Sequence, residues 1–145
     1  MVTMKYSYKL SDAIHILTYL IIYKDGDLSS KTIADSIESN ASTVRNLMSD
    51  LRSAGLITTK VGSASPALNA RPSEISILDV YKAVNMDHNL LHIDPKTNPQ
   101  CVVGGSIQDV LDDAYAEIQQ SAFQKMDEIT IADITEGILQ RQQQD

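Results

Sequence analysis

Between Asn40 and Asn46 the sequence reads Asn-Ala-Ser-Thr-Val-Arg-Asn, and four of its side chains, Ser42, Thr43, Arg45 and Asn46, are of types that hydrogen-bond to base edges. An arginine fork matches guanine O6 and N7, and an amide matches adenine N6 and N7. On a helix these residues lie away from Val44 and Leu47, so their polar groups point outward. A reading helix also needs groups that grip phosphates and fix its register. Candidates are Lys5, Tyr6 and Lys9 near the start of the chain, and Ser30 and Lys31 at the N-terminus of another expected helix. Asn40 is counted with these DNA-binding candidates and is also placed to cap the reading helix itself. A merely solvated helix face would have the same composition, so the pattern depends on its context.

A second kind of chemistry centres on Cys101, just before Gly104-Gly-Ser106 and a long helical pattern. A helix N-terminus there would favour thiolate and make a redox or electrophile sensor, whereas a lone cysteine can equally be a small, inert packing residue. His88 and His92 precede it at a spacing a metal could use, but no fourth ligand stands out and no metal site is expected. The chain contains no nucleophile elbow, phosphate-binding glycine loop or paired metal motif. Its acidic pairs Asp112-Asp113 and Asp127-Glu128 are neighbours that diverge on a helix, and they read as solvent-facing charge. Neither enzymatic activity nor a cofactor is expected.

The elements that must position these residues follow from periodicity. Helices are expected over about 10–24, 30–36 and 41–54, the last two capped by Ser29 and Asn40 and the third closed by Gly55. A β-branched run from Leu56 to Val61, a Gly62-Ser-Ala-Ser-Pro66 tip and a short segment 67–70 predict a hairpin. Three helices and a two-stranded ribbon within about 70 residues follow the order of a winged helix-turn-helix. Beyond Arg71-Pro72 come a helix over 75–84 capped by Ser76, a possible short strand at 90–93, an irregular stretch at 94–100, a helix of about 20 residues from 106 to 126 and a last helix over 130–143. The long helix places Ile107, Val110, Leu111, Ala114, Ile118 and Ala122 or Phe123 on one face, more apolar surface than a small domain can cover, so pairing with a second copy is expected. Tyr115 and Phe123 are assigned to dimer packing and His15 to core packing with a satisfied ring nitrogen. The fold class is therefore mainly α with a small β-hairpin: residues 1–72 form a DNA-binding domain, and residues 73–145 a helical dimerisation and sensing region.

At 145 residues and 43% hydrophobic content the chain can build one core without disulfides. The apolar run from Ala13 to Tyr23 is too short to span a bilayer, and the first residues lack a secretory pattern, so a cytoplasmic location is expected. The net charge of −7 argues against nucleic acid, yet it is divided unevenly. Residues 1–72 hold eight basic against six acidic side chains, and residues 73–145 hold four against thirteen. Any polyanion-facing surface therefore belongs to the first half.

Four stretches together resemble the Rrf2 family of bacterial winged-helix repressors: 47–57 with its Leu-Arg-Ser-Ala-Gly-Leu-Ile, 70–84 with Ala-Arg-Pro and Asp-Val-Tyr-Lys-Ala-Val, 107–118, and Ile129-Thr-Ile-Ala-Asp133. The resemblance implies a homodimeric, sequence-specific transcription regulator with the long helix at the dimer interface. It would act as a cytoplasmic repressor that reads a pseudo-palindromic operator in double-stranded DNA through the helix 41–54 and answers to a small-molecule or redox effector. Many members hold an iron–sulfur cluster on three cysteines, and this chain has only Cys101, which implies the cluster-free branch. The family's glycine-rich wing tip is replaced by Gly62-Ser-Ala-Ser-Pro66, and Thr43 stands where many members have an aromatic residue. The rival reading is a helical adaptor of the same fold that acts through protein–protein contacts.

Overall fold

The computed structural model describes residues 7–59, 65–84 and 89–143. The first helix, α1 (Lys9–Ile22), turns Ala13, Ile16, Leu17 and Leu20 inward at helical spacing. His15 beside them places Nε2 2.8 Å from Ser36 Oγ, the satisfied ring nitrogen its setting requires. Next comes α2 (Ser30–Ile37), whose cap Ser29 accepts a hydrogen bond from the Thr32 amide. Glu38 ends it in the left-handed region, at φ 59°, and lets the Ser39 amide close back onto the Ala34 carbonyl. A non-glycine residue tolerates this backbone only at some steric cost, accepted here because the chain must reverse within three residues.

The turn delivers α3 (Ala41–Ser53), capped by Asn40, whose Oδ1 accepts from both the amide and the hydroxyl of Thr43. Val44, Leu47, Met48 and Leu51 are its buried stripe. Gly55 stops the helix at φ 79°, a conformation free of penalty only for glycine, and the Leu56 amide then bonds the Leu51 carbonyl. Strands β1 (Ile57–Thr59) and β2 (Pro66–Leu68) pair antiparallel with Ile57 opposite Leu68 and Thr59 opposite Pro66. Ile57 is buried, which pins the hairpin to the helices. The greater part of the expected wing tip, 60–64, lies outside the described residues.

A 3₁₀ turn (Pro72–Glu74) leads to α4 (Ile77–Ala83), opened by a reciprocal cap: Ser76 Oγ accepts from the Asp79 amide, and Asp79 Oδ2 accepts from the Ser76 amide. The long helix α5 (Ile107–Glu128) and the last helix α6 (Ile131–Gln143) follow. Residues 90–93 form no strand; their chain bends beside α5 instead, where the Leu90 amide bonds the Gln119 side chain rather than a neighbouring strand. At the α5–α6 corner the backbone of 129–131 pairs with 75–77, the Ile77 amide bonding the Ile129 carbonyl and the Ile131 amide the Ile75 carbonyl. One buried cluster therefore runs from Ile16, Leu17, Ile33 and Leu51 through Ile75 and Val80 to Ile131. Each such side chain contributes about 1.5–3 kcal/mol on burial. Among the described residues no helix is long and apolar enough to cross a membrane.

Candidate nucleic-acid interface

The stripe of α3 opposite its buried residues is continuous and polar. Ser42, Arg45, Ser49 and Arg52 recur at i, i+3, i+7 and i+10 and are all exposed, with Asn46 exposed beside them. The side chains of Arg45 and Asn46 make no hydrogen bond or ion pair with other described residues, so their donors face solvent. Thr43, by contrast, is half-buried and held by the cap, and Asn40 spends its oxygen on that cap. These two hold the start of the helix in place while their neighbours point outward.

Arg45 and Arg52 border a cleft of about 330 Å³ closed by Leu28, Ser29 and Ser30 at the start of α2, Met48, and Thr59 and Pro66 of the hairpin. Two guanidinium groups and a hydroxyl pair at one opening suit a phosphate oxygen. Arg52 is the member that the sequence reading passed over, and its seven-residue spacing from Arg45 was the available signal. Lys31 and Lys9 are exposed and Ser30 is half-buried. Lys5 and Tyr6 lie outside the described residues. Near the same end of α2, Asp27 accepts from the Ser29 amide at 2.9 Å and the Thr32 hydroxyl at 2.7 Å. The Thr32 bond first, then those from Ser29, holds its carboxyl below the usual carboxylate range. A fixed negative charge at that helix end disfavours a second anion there.

The second half is arranged differently. No residue of α5 is fully buried, and of the expected dimerisation set Val110 and Ile118 are 61% and 52% exposed, Ala114 is exposed, and Ile107 and Leu111 are half-buried. Phe123 does not share that outward face: it packs on Tyr81 of α4, ring centroids 5.5 Å apart, because its position on the helix turns it toward the chain's own body. Tyr115 lines a cavity under residues 89–93. Asp127 is not free surface charge either, since it accepts a hydrogen bond from Ser76 Oγ at 3.1 Å and so fastens α5 to the start of α4. Glu128 pairs with Lys125 at 3.2 Å.

Cys101 is exposed rather than buried. It sits in a closed loop where the Cys101 amide bonds the Asn98 carbonyl, the Gly105 amide bonds the Cys101 carbonyl, and the Thr97 hydroxyl bonds the Gly104 carbonyl at 2.6 Å. A side chain at Gly104 would overlap the Asn98 backbone, so this closure requires glycine. The backbone amides of Gly104, foremost, and of Val103 face the sulfur and hold the thiol below its ordinary range. The local turn supplies the effect that the sequence assigned to the helix end.

The Rrf2 family model, described as an iron-dependent transcriptional regulator, matches residues 6–137. The chain is similar to YwnA of Bacillus subtilis, a candidate HTH-type transcriptional regulator, at 34% identity over 87% of this chain and 93% of that protein. A crystal structure of a candidate DNA-binding protein superposes with a TM-score of 0.69 at 33% identity, covering 87% of this chain and 97% of the other. A candidate transcriptional regulator from Lactobacillus plantarum superposes with a TM-score of 0.74 at 21% identity, over 94% and 97% of the two chains, and shares the fold. The iron–sulfur cluster that many members carry needs several thiolates, and this chain offers one. Among the described residues no three His, Cys, Asp or Glu side chains gather to hold a metal, so the residues do not fit such a centre. With a family match over most of its length, a relative above 30% identity and the winged helix-turn-helix in place, the chain belongs to the Rrf2 family of transcriptional regulators, which are not enzymes.

Proposed function

We propose that the protein is a homodimeric repressor that reads a pseudo-palindromic operator by laying α3 of each protomer in the major groove. The observation that carries this reading is the exposed row Ser42, Arg45, Ser49 and Arg52 with Asn46 alongside, on a helix whose opposite face is locked into the core. Arg45 and Asn46 read bases, while Arg52, Ser30, Lys31 and Lys9, with Lys5 and Tyr6 ahead of them, hold phosphates. Residues 1–72 carry this task and residues 73–145 the dimerisation. Two copies pair through Ile107, Val110, Leu111, Ala114 and Ile118, which sets the two reading helices about 34–36 Å apart, or a multiple of that, across a twofold axis. Such a regulator acts where the DNA is, in the cytoplasm. Cys101, exposed and with a lowered thiol pKa, is a redox-responsive position in the same half.

Selection of bound sequences from a random duplex library at moderate salt tests the reading. The expected result is a palindromic site that an Arg45→Ala protein no longer enriches, with about 1–3 kcal/mol of affinity lost. An Arg52→Ala protein keeps the same site but lowers the slope of log affinity against log salt by about 0.9. No enrichment even at low salt would discard sequence reading and favour an adaptor working through protein contacts.

A further inference from the structure

Beside α5, residues 89–93 lie along the helix and border an open groove of about 440 Å³, within the size range of small-ligand sites. Its floor is one face of α5, where Asp112, Tyr115, Ala116 and Gln119 recur at i, i+3, i+4 and i+7. Its roof is Asn89, Leu91, His92 and Ile93. The roof is held down by Gln119, whose Oε1 accepts from the Leu90 amide at 2.8 Å and whose Nε2 lies 3.5 Å from Asn89 Oδ1. Gln119 is thus committed to structure. The side chains of His92, Asp112 and Tyr115, in contrast, make no hydrogen bond or ion pair with other described residues. His92 and Asp112 are exposed and Tyr115 is half-buried, so three unpaired polar groups and the apolar surface of Leu91, Ile93 and Ala116 meet at one groove that is open to a ligand.

The charge of the surroundings selects the ligand. From 89 to 119 the chain carries Asp94, Asp109, Asp112, Asp113 and Glu117 against Lys96 alone. An organic anion would meet Asp112 with no cation among the described residues of the groove to offset it. Among the described residues a metal ion would find only His92 and Asp112 of the usual charged or imidazole ligands. An ammonium group matches the carboxylate and is drawn in by the field around it. We propose that this cavity binds a small organic amine as an effector, with the ammonium on Asp112, hydrogen bonds to His92 and Tyr115, and the carbon skeleton against Leu91, Ile93 and Ala116. Because an α-carboxylate would have no partner there, amines are preferred over their parent amino acids. A ligand bridging roof and floor stiffens the α4–α5 junction, since Phe123, the next residue along the same face of α5, packs on Tyr81 of α4. The effect on DNA rests on the repressor reading; binding to the cavity does not.

The experiment is calorimetric titration of the full-length protein with tyramine, histamine and isoamylamine, each against its carboxylate-bearing counterpart: L-tyrosine, L-histidine or L-leucine. At least one amine is expected to bind, and its amino acid at least about tenfold more weakly. Asp112→Asn should weaken that binding by about tenfold or more, while Asp113→Asn, one residue along on a different face, should leave it unchanged. Silence from all three amines, equal binding by the amino acids, equal loss in both variants, or binding that chelator abolishes would each overturn the proposal. The bound amine should also shift affinity for a selected operator by at least about threefold. Amine binding with unaltered operator affinity would remove the effector role, whereas a protein that binds amine but enriches no DNA would leave the cavity standing and remove the repressor reading.

Discussion

Helices α3 and α5 face opposite problems. The thirteen residues of α3 bury Val44, Leu47, Met48 and Leu51 and leave a polar face to solvent, so the helix is complete within one chain. The twenty-two residues of α5 bury none, and Val110 and Ile118 stand in water. Amphipathic helices in water draw most of their stability from an apolar face packed against something. What holds α5 in the monomer is its edges: Phe123 on Tyr81, Asp127 on Ser76, the Gln108 side chain on the Asp94 carbonyl, and Gln119 on the Leu90 amide. Folding alone finishes α3, whereas α5 keeps an exposed apolar stripe, the face on which the proposed dimer rests.

The sharpest way to break the first half of this contrast is Leu51→Ala, which empties a fully buried site in α3 and should cost about 2–5 kcal/mol in urea unfolding. Ile118→Glu attacks the other half. Circular dichroism should show the fold kept, because the residue is already half in solvent, while sedimentation shows loss of association. Operator affinity should then fall by about 10²- to 10⁴-fold as two linked half-site contacts become independent. A variant that stays associated would mean that the stripe is not the interface. Ser76→Ala probes the joint between the two regions. It removes the cap on the Asp79 amide and the bond to Asp127, and about 1–2 kcal/mol should disappear from thermal or urea stability.

The smallest effect concerns Cys101. Its thiol pKa is depressed, so thiolate forms below the ordinary value of 9.0 and the amide–sulfur bonds strengthen as pH rises; their contribution fades as pH falls through the folded value. The rate of iodoacetamide alkylation, followed against pH, should show a midpoint below 9.0 in the folded protein and a higher one in urea. Coincident midpoints would return Cys101 to the status of an ordinary exposed thiol.

Much of the first half was legible because its signals are local. Ser29 and Asn40 are caps, Gly55 is a stop, and the 3.6-residue spacing of Val44, Leu47, Met48 and Leu51 fixes which way Arg45 and Asn46 face. The brief turn over Glu38-Ser-Asn40 was legible as well, but the positive φ of Glu38 was not, since no glycine announces it. In the second half local signals misled. Leu90-Leu-His-Ile93 has strand composition, but β1 and β2 form the only sheet among the described residues, and the segment instead covers α5. Asp127 looked like surface charge because its partner, Ser76, is 51 residues away.

Local signals along the chain were enough for the approximate limits of the helices, the apolar face of each, and the run of hydrogen-bonding side chains over residues 40–46, because periodicity and capping act within a few residues of the chain. Only the tertiary structure decided that Arg52 joins Arg45 at one cleft, that Phe123 turns inward while Ile118 stays out, and that His92, Asp112 and Tyr115 line one cavity. Each of those facts depends on how distant segments pack, and packing is set by the mutual fit of whole faces rather than by any residue's own preference.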